Sequence, residues 1–547
     1  MSRVSAATAE QAKGSGTSAP GAPPGPGRFL ARAAAGAAGL TVIASLLGLV
    51  RDQAIARLFG ASHASDAFLI AWTVPEMAAT LLIEDGMALL LVPAFSHALA
   101  RRAAAGSAAD GLSDDPVRAL VADTFPRLFA SLAGAGALLV LGAPWVVRIL
   151  APGLSDPRLA VECTRLTAVT VLTFGVTGYF SAALRAHGRF LAPAGVYIAY
   201  NIGIIGMTLA LHSVWGVRAA AAGVAVGSVL MILTQLPTFA RLLTRRGPRG
   251  VGPRPARQGL SPLLGATVLA PVVLFVVGRQ SQVFVERFLA SSLSDGAISH
   301  LNYAQKVAQL PMVLSMMICT VTFPVVARAM AAGDQDGARR RVERDLALAG
   351  TVVLLGTSMV LGYAHQIVEV LFQRGAFDAQ DTAATAGVMR IYALGLLGHT
   401  LVGTLCRPFF SAGKPTWYPV CAMGAGLLVT TGAGLALAGP FGVDGIAAAN
   451  ALGISTAALL LLLGLGSRAV AIRVRAVAVS LGRPAAAAVV AGAAGWAAAP
   501  AIGHPALSLA AGCLLVPAAF LLTGLALRAP EVVHLLALTR QRFLHGR

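Results

Sequence analysis

Apolar stretches of about 20 residues, each able to cross about 30 Å of hydrocarbon, recur along almost the whole chain. Inside lipid no water satisfies exposed backbone N–H and C=O groups, so crossing segments of this length must be helices. The composition agrees: 56% of the 547 residues are hydrophobic and only 12% charged, with a mean hydropathy of +0.75. A soluble domain carries about 25% charged residues, so an ordinary soluble protein is excluded. The expected fold class is an all-α polytopic membrane protein. Its abundant Ala, Gly and Leu suit close helix packing.

Fourteen candidate spans can be drawn, near 29–50, 66–97, 120–143, 164–184, 192–212, 216–240, 261–288, 296–329, 346–371, 385–410, 417–438, 442–466, 482–500 and 506–528. Residues 1–27 are rich in Ala, Gly, Pro and Ser and read as a disordered tail without signal-peptide organisation. The net charge of +19 does not call for nucleic acid. It collects in alternate loops: Arg101–Arg102, Arg185 with Arg189, Arg241 to Arg257, Arg339 to Arg344, Arg407 with Lys414, and Arg468 to Arg483. Loops between them are sparse or mixed in sign. Positive loops stay in the cytoplasm, which places both termini there, as an even span count also requires. The expected location is the plasma (inner) membrane.

Self-similarity divides the chain further. RLFGASHASDAF from Arg57 matches RFLASSLSDGAI from Arg287, and LVPAFSHALARR from Leu91 matches TFPVVARAMAAG from Thr322, at an offset of 230 to 231. WVVRILAPGLSD ending at Asp156 resembles QIVEVLFQRGAFD ending at Asp378, and RAHGRFLAP resembles FSAGKPTWYP. The expected organisation is a cytoplasmic tail (1–27), an N-lobe of spans 1–6 (28–245) and a basic linker (246–260). A C-lobe of spans 7–12 (261–467), spans 13–14 (468–528) and a cytoplasmic C-terminal tail (529–547) follow. Two like-oriented lobes place a substrate path at their interface and work by rocking.

Charges inside spans cost free energy and mark a path or a paired site. Span 2 carries Glu76, Glu84 and Asp85, span 7 carries Arg279, Glu286 and Arg287, and span 8 carries Lys306. A chamber holding Arg51, Arg279 and Lys306 would attract an anionic headgroup, with Arg offering its fork of donors and Lys a point charge. Arg51, Arg57 and Arg287 lie at span ends, where snorkelling to the interface is an equal reading. Asp52 and Asp66 fit helix caps at the first bend. Asn201 is either a cavity residue or an interhelical hydrogen bond. Pro75 and Pro311 favour kinks. The five cysteines form no CxxC pair and read as small packing residues, so no metal is expected. An enzyme would need clustered acids or histidines, whereas His187, His300, His365 and His399 are scattered and no Gly-rich phosphate loop occurs.

LGLVRDQAIARLFGASHASDAFLIAWTVP, the later LVPAFSHAL, FLASSLSDGAISHLNYAQKVAQLP, LFQRGAFDAQDT and YALGLLGHTLVGTLCRPFFSAGKPTWYPV together resemble the MviN/MurJ family. These are lipid II flippases of bacterial peptidoglycan synthesis, within the multidrug/oligosaccharidyl-lipid/polysaccharide exporter superfamily. The resemblance implies alternating access by a central cavity whose cations hold the pyrophosphate of lipid II. It also implies a groove at spans 13–14 for the polyprenyl tail. By position it assigns the headgroup contacts to Arg51, Lys306 and Asn201, and structural or gating roles to Asp52, Asp66 and Glu84. Three positions depart from the family pattern: Ser45 and the Ala79–Thr80 region stand where arginines are usual, and Lys306 replaces an arginine. Arg279 supplies charge from another helix, where the family usually has a small or polar residue. Another lipid-linked glycan or an amphipathic metabolite is the alternative cargo. No cofactor is expected; membrane potential or an ion would supply the drive, and spans 11–12 show no aspartate arranged for a sodium site. Partners implied are the glycolipid, the membrane and proteins of cell-wall synthesis or division.

Overall fold

The structure, a computed structural model, describes residues 26–84, 86–104, 115–244, 262–313, 315, 334–411, 416–468 and 472–529. The linker at 246–260, almost all of both tails, Asp85 and the second half of the expected span 8 lie outside the described residues.

Apolar sequence with no backbone partner but itself becomes helix. The first half contains α1 (Pro26–Phe59), α2 (His63–Ala79), α3 (Gly86–Ala104) and α4 (Pro116–Leu150). It continues with α5 (Pro157–Thr167), α6 (Val169–Ala186), α7 (Leu191–Trp215) and α8 (Arg218–Thr244). The second half contains α9 (Pro262–Ala290), α10 (Ala297–Ala308), α11 (Gln335–Phe372), α12 (Ala379–Ser411) and α13 (Tyr418–Arg468). Helices α14 (Val474–Ala498) and α15 (Pro505–Ala526) close the chain. No strand occurs among the described residues. Eleven helical runs among them are long and apolar enough to cross a membrane. Expected spans 11 and 12 form the single run α13, bent at Gly442, whose φ is +55°. Leu141 and Leu514 are 75% and 77% exposed; side chains this apolar on the outside fit a hydrocarbon solvent.

The expected single span 2 is broken. A π-helical turn, Thr80–Glu84, separates α2 from α3, and Pro75 sits inside α2. Proline removes an N–H and so frees the carbonyl four residues back. That carbonyl, on Ala71, accepts from the Thr167 hydroxyl of α5 at 3.1 Å.

The sequence-related segments have the same local form. Asp156 Oδ1 accepts from Leu159 N at 3.1 Å to cap α5, and Asp378 Oδ1 accepts from Asp381 N at 2.9 Å at the start of α12. Helices α14 and α15 pack on α11, where Tyr363 is buried with Ala488, Val516 and Phe520.

The largest apolar core runs through the seam between the halves and includes Phe68, Ile298, Tyr303, Phe372 and Phe377. LFQRGAF is built for this place. Phe372 and Phe377 pack on Tyr303 with ring centroids 5.2 and 5.9 Å away, while the intervening turn meets α1: Ala376 N donates to Arg57 O at 2.8 Å. Gly375 has φ +65°, and a Cβ there would overlap the Arg57 carbonyl oxygen. Gly188 has φ +69° with nothing near its missing Cβ. Gly188→Ala is therefore expected to cost only the left-handed strain, about 1–2 kcal/mol. Gly375→Ala carries that strain plus the clash across the seam, so its apparent Tm in detergent should fall below that of Gly188→Ala; equal values would refute the contact.

Candidate functional site between the helix halves

Trp72 of α2 is the centre of the site. The Arg51 guanidinium of α1 lies 4.2 Å from its ring centroid and the Lys306 ammonium of α10 lies 4.4 Å away, both in cation–π range. Arg51 is buried and fully occupied. It donates through Nε and Nη2 to Asp52 Oδ1 at 3.0 and 2.8 Å, and through Nη1 to Asn201 Oδ1 at 3.0 Å. Asn201 of α7 anchors the arrangement to α1 by donating to Ala44 O at 3.1 Å. It is both a neighbour of the site and an interhelical bond. Lys306 Nζ stands 3.9 Å from Asp52 Oδ2. Asp52 thus lies within α1 as the counter-charge of two cations and caps nothing, contrary to the reading of it as a helix cap.

Arg287 joins the same constellation. Only 6% exposed, it reaches from α9 into α2, donating to Leu69 O at 2.8 Å, to the Thr73 hydroxyl, and to Glu76 Oε2 at 3.2 Å. It is no snorkelling side chain. Arg51, Lys306, Arg287, Asp52 and Glu76 together hold three cations against two carboxylates, one positive charge in excess. One turn further, Gln280 of α9 donates to the Thr80 hydroxyl at 3.4 Å, at the start of the π turn.

Asp66 also does other work than capping its own helix. Ser62 caps α2 by accepting from Ser65 N. Asp66, 3% exposed, caps α10 of the other half instead, accepting from Gly296 N and Ser299 N, both at 2.8 Å, and from Ser299 Oγ at 2.6 Å. A carboxylate at a helix N-terminus meets unpaired N–H groups and a favourable dipole. Gly296 permits the approach, since a Cβ there would lie 2.5 Å from Ala61 O. Nearby, Asp381 Oδ2 accepts from Ala61 N at 3.2 Å, and Ser155 donates to Asp295 at 2.7 Å. Hydrogen bonds between the halves run from this Gly60 end inward to Thr80–Gln280.

Glu84 is exposed, accepts from the Tyr197 hydroxyl at 2.9 Å, and lines a cavity of about 480 Å³ with Ser45, Arg185 and Asn201. This space touches the Arg51 cluster only at Asn201 and runs along α1 and α7. Arg279 does not enter the cluster. It is exposed and shares a face of α9 with Gln282 and Glu286, which turn toward α12 and α13: Glu286 accepts from the Tyr392 hydroxyl at 2.6 Å and from Asn450. Trp72 carried no signal in the sequence, whereas Glu76 and Arg287 stood among the charges inside spans without being assigned to the headgroup site.

The profile of the family described as "Lipid II flippase MurJ" matches residues 55–506. The chain belongs to this family. Among MurJ relatives, "Lipid II flippase MurJ" of Burkholderia cenocepacia is 29% identical over 413 residues, covering 74% of this chain and 77% of the relative. "Probable lipid II flippase MurJ" of Synechocystis is 27% identical over 406 residues, covering 71% and 72%. The fold is also that of a solved structure, "Lipid II flippase MurJ, inward closed conformation", with a TM-score of 0.70, 19% identity and coverage of 89% of this chain and 97% of that one. A multidrug resistance MATE family transporter of the MOP superfamily in an inward-facing conformation has a TM-score of 0.63 at 14% identity, covering 79% and 95%.

Asp66→Ala would leave three buried donors without an acceptor, at about 1–3 kcal/mol each. Ser65 is buried beneath this contact. In a background lacking native cysteines, a Ser65→Cys reporter should react with a water-soluble maleimide at least about tenfold faster when Asp66→Ala is added, the equivalent of about 1.4 kcal/mol. An unchanged rate would exclude a closing role for Asp66.

Proposed function

We propose that this chain is a transporter that moves lipid II from the cytoplasmic to the outer leaflet by alternating access between its two halves. The observation that carries the reading is the convergence on α2 of cations from both halves, Arg51 and Lys306 on Trp72 and Arg287 on Glu76. Membership of the MurJ family supplies the cargo. Buried ions are stable only when paired, and here Asp52 and Glu76 do the pairing. A pyrophosphate entering the chamber competes with these carboxylates for the same N–H groups, and the planar guanidinium suits its oxygens. Binding then loosens the ties that join α1, α2, α9 and α10, which couples cargo to movement of the halves.

The arginine-rich loops support an orientation with both termini in the cytoplasm. In that orientation the bonded Gly60 end faces outside and the space beside Ser45, Glu84 and Arg185 faces the cytoplasm. Residues 28–245 and 261–467 act as the rocking lobes, and α14 and α15 offer the polyprenyl chain a groove. Membrane potential serves as the drive, since one charge crossing 100 mV exchanges about 2.3 kcal/mol. A second reading, export of a different lipid-linked glycan or an amphipathic metabolite, is favoured by Ser45: a neutral side chain lines the cavity where the family pattern has an arginine.

Expression in cells depleted of their lipid II flippase tests both. Wild-type protein should restore growth, Arg51→Ala and Lys306→Ala should abolish rescue at equal membrane levels, and Arg279→Ala should rescue nearly as wild type. Purified Lys306→Ala should bind lipid II about tenfold or more weakly, the loss of one charge-assisted hydrogen bond. Full rescue by both cavity variants would sink the assigned roles. Failure of wild type to rescue while present in the membrane would favour the second cargo.

A further inference from the structure

A second cavity, of about 430 Å³, opens on the seam at the Gly60 end, between α1, α7 and the end of α11. It shares no residue with the Trp72 site. Two arginines stand at its polar end, Arg57 from one half and Arg374 from the other. Both are exposed. Arg374, just beyond the end of α11, donates through Nη2 to Val370 O of that helix at 3.1 Å, and among the described residues neither arginine forms an ion pair. The remaining walls are mainly apolar. Val50 lies seven residues before Arg57 on α1, about 10 Å deeper along the helix axis. Both Val50 and Leu209 of α7 face outward, 46% and 53% exposed.

We infer that this cavity binds an anionic phospholipid, its phosphate between Arg57 and Arg374 and its acyl chain along Val50 and Leu209. A cationic rim above an apolar trough matches an amphipathic anion. A free phosphate would leave the trough uncovered, and a zwitterionic headgroup would set its own cation against two guanidiniums. The two arginines also ride on the contact that holds the halves together. The Arg57 carbonyl accepts from Ala376 N at 2.8 Å, two residues beyond Arg374. With the seam closed, two like charges share one cavity and repel; an anion between them turns that repulsion into a bridge. Once the halves separate, the bridge is lost. The lipid therefore binds the closed seam more tightly and shifts the population toward it. The local leaflet composition thus becomes a regulator of how readily this end opens.

Native mass spectrometry of the full chain in detergent provides the test, with phosphatidylglycerol and phosphatidylcholine offered in equal amounts. Wild type should retain phosphatidylglycerol about tenfold over phosphatidylcholine, the worth of one charge-assisted bond. Arg57→Ala/Arg374→Ala should lose the preference, and Arg57→Lys/Arg374→Lys should keep part of it. Phosphatidylglycerol should also slow maleimide labelling of the Ser65→Cys reporter, and millimolar inorganic phosphate should not. Equal retention of the two lipids, retention unchanged in the double alanine variant, or slowing by inorganic phosphate alone would each overturn the assignment. None of these readouts depends on the transport of lipid II.

Discussion

The carboxylate of Asp66 is spent on a helix that is not its own. The start of α10 is buried, so its free N–H groups must be satisfied from within the protein. By drawing the acceptor from α2, the fold makes the integrity of one half's helix conditional on the position of the other half. The same economy of partners recurs inward. Arg287 is satisfied by the carbonyl of Leu69, the hydroxyl of Thr73 and the carboxylate of Glu76, all on α2. Lys306 has Asp52 as its carboxylate neighbour. Burial thereby turns ordinary polar pairing into a device that ties the two halves together at one end and in the middle.

This arrangement explains how a cationic cluster can be buried and yet stable. Two basic side chains against one indole, with a third reaching the same helix, would repel if left bare. Asp52 and Glu76 offset most of that repulsion, and the surplus of a single positive charge keeps the site receptive to an anion. A phosphate-bearing ligand needs to replace carboxylate contacts, a near-exchange of like for like. The binding free energy left over for moving helices comes from what the ligand adds beyond the exchange.

Much of the fold was legible because hydrophobic length and period are properties of the chain itself. The helical runs, the repeated Arg57 and Arg287 segments and the matching Asp156 and Asp378 turns could be read directly. The site was legible only in part. Arg51, Lys306 and Asn201 stood out as polar residues in apolar surroundings, and they do meet. Arg287 was left open because it lies at a span end, where snorkelling reads equally well; its sequence twin, Arg57, is indeed exposed. Which of two such residues turns inward depends on the partner surface, and that is information about tertiary packing. Asp66 was expected at a cap, correctly in kind; a string of residues does not reveal whose helix it caps. Arg279 was drawn toward the site by its charge, whereas the face it shares with Gln282 and Glu286 turns elsewhere.

The π turn at Thr80–Glu84 has a geometrical corollary. A turn that accommodates one additional residue rotates everything beyond it by about 100° about the helix axis relative to an uninterrupted α-helix. Counting faces straight through from His63 to Ala104 therefore assigns the wrong azimuth to all of α3. Two helical segments with independent phases share a single stretch of hydrophobic sequence, so α2 can address the partner half while α3 packs mainly on α4 and α6 of its own.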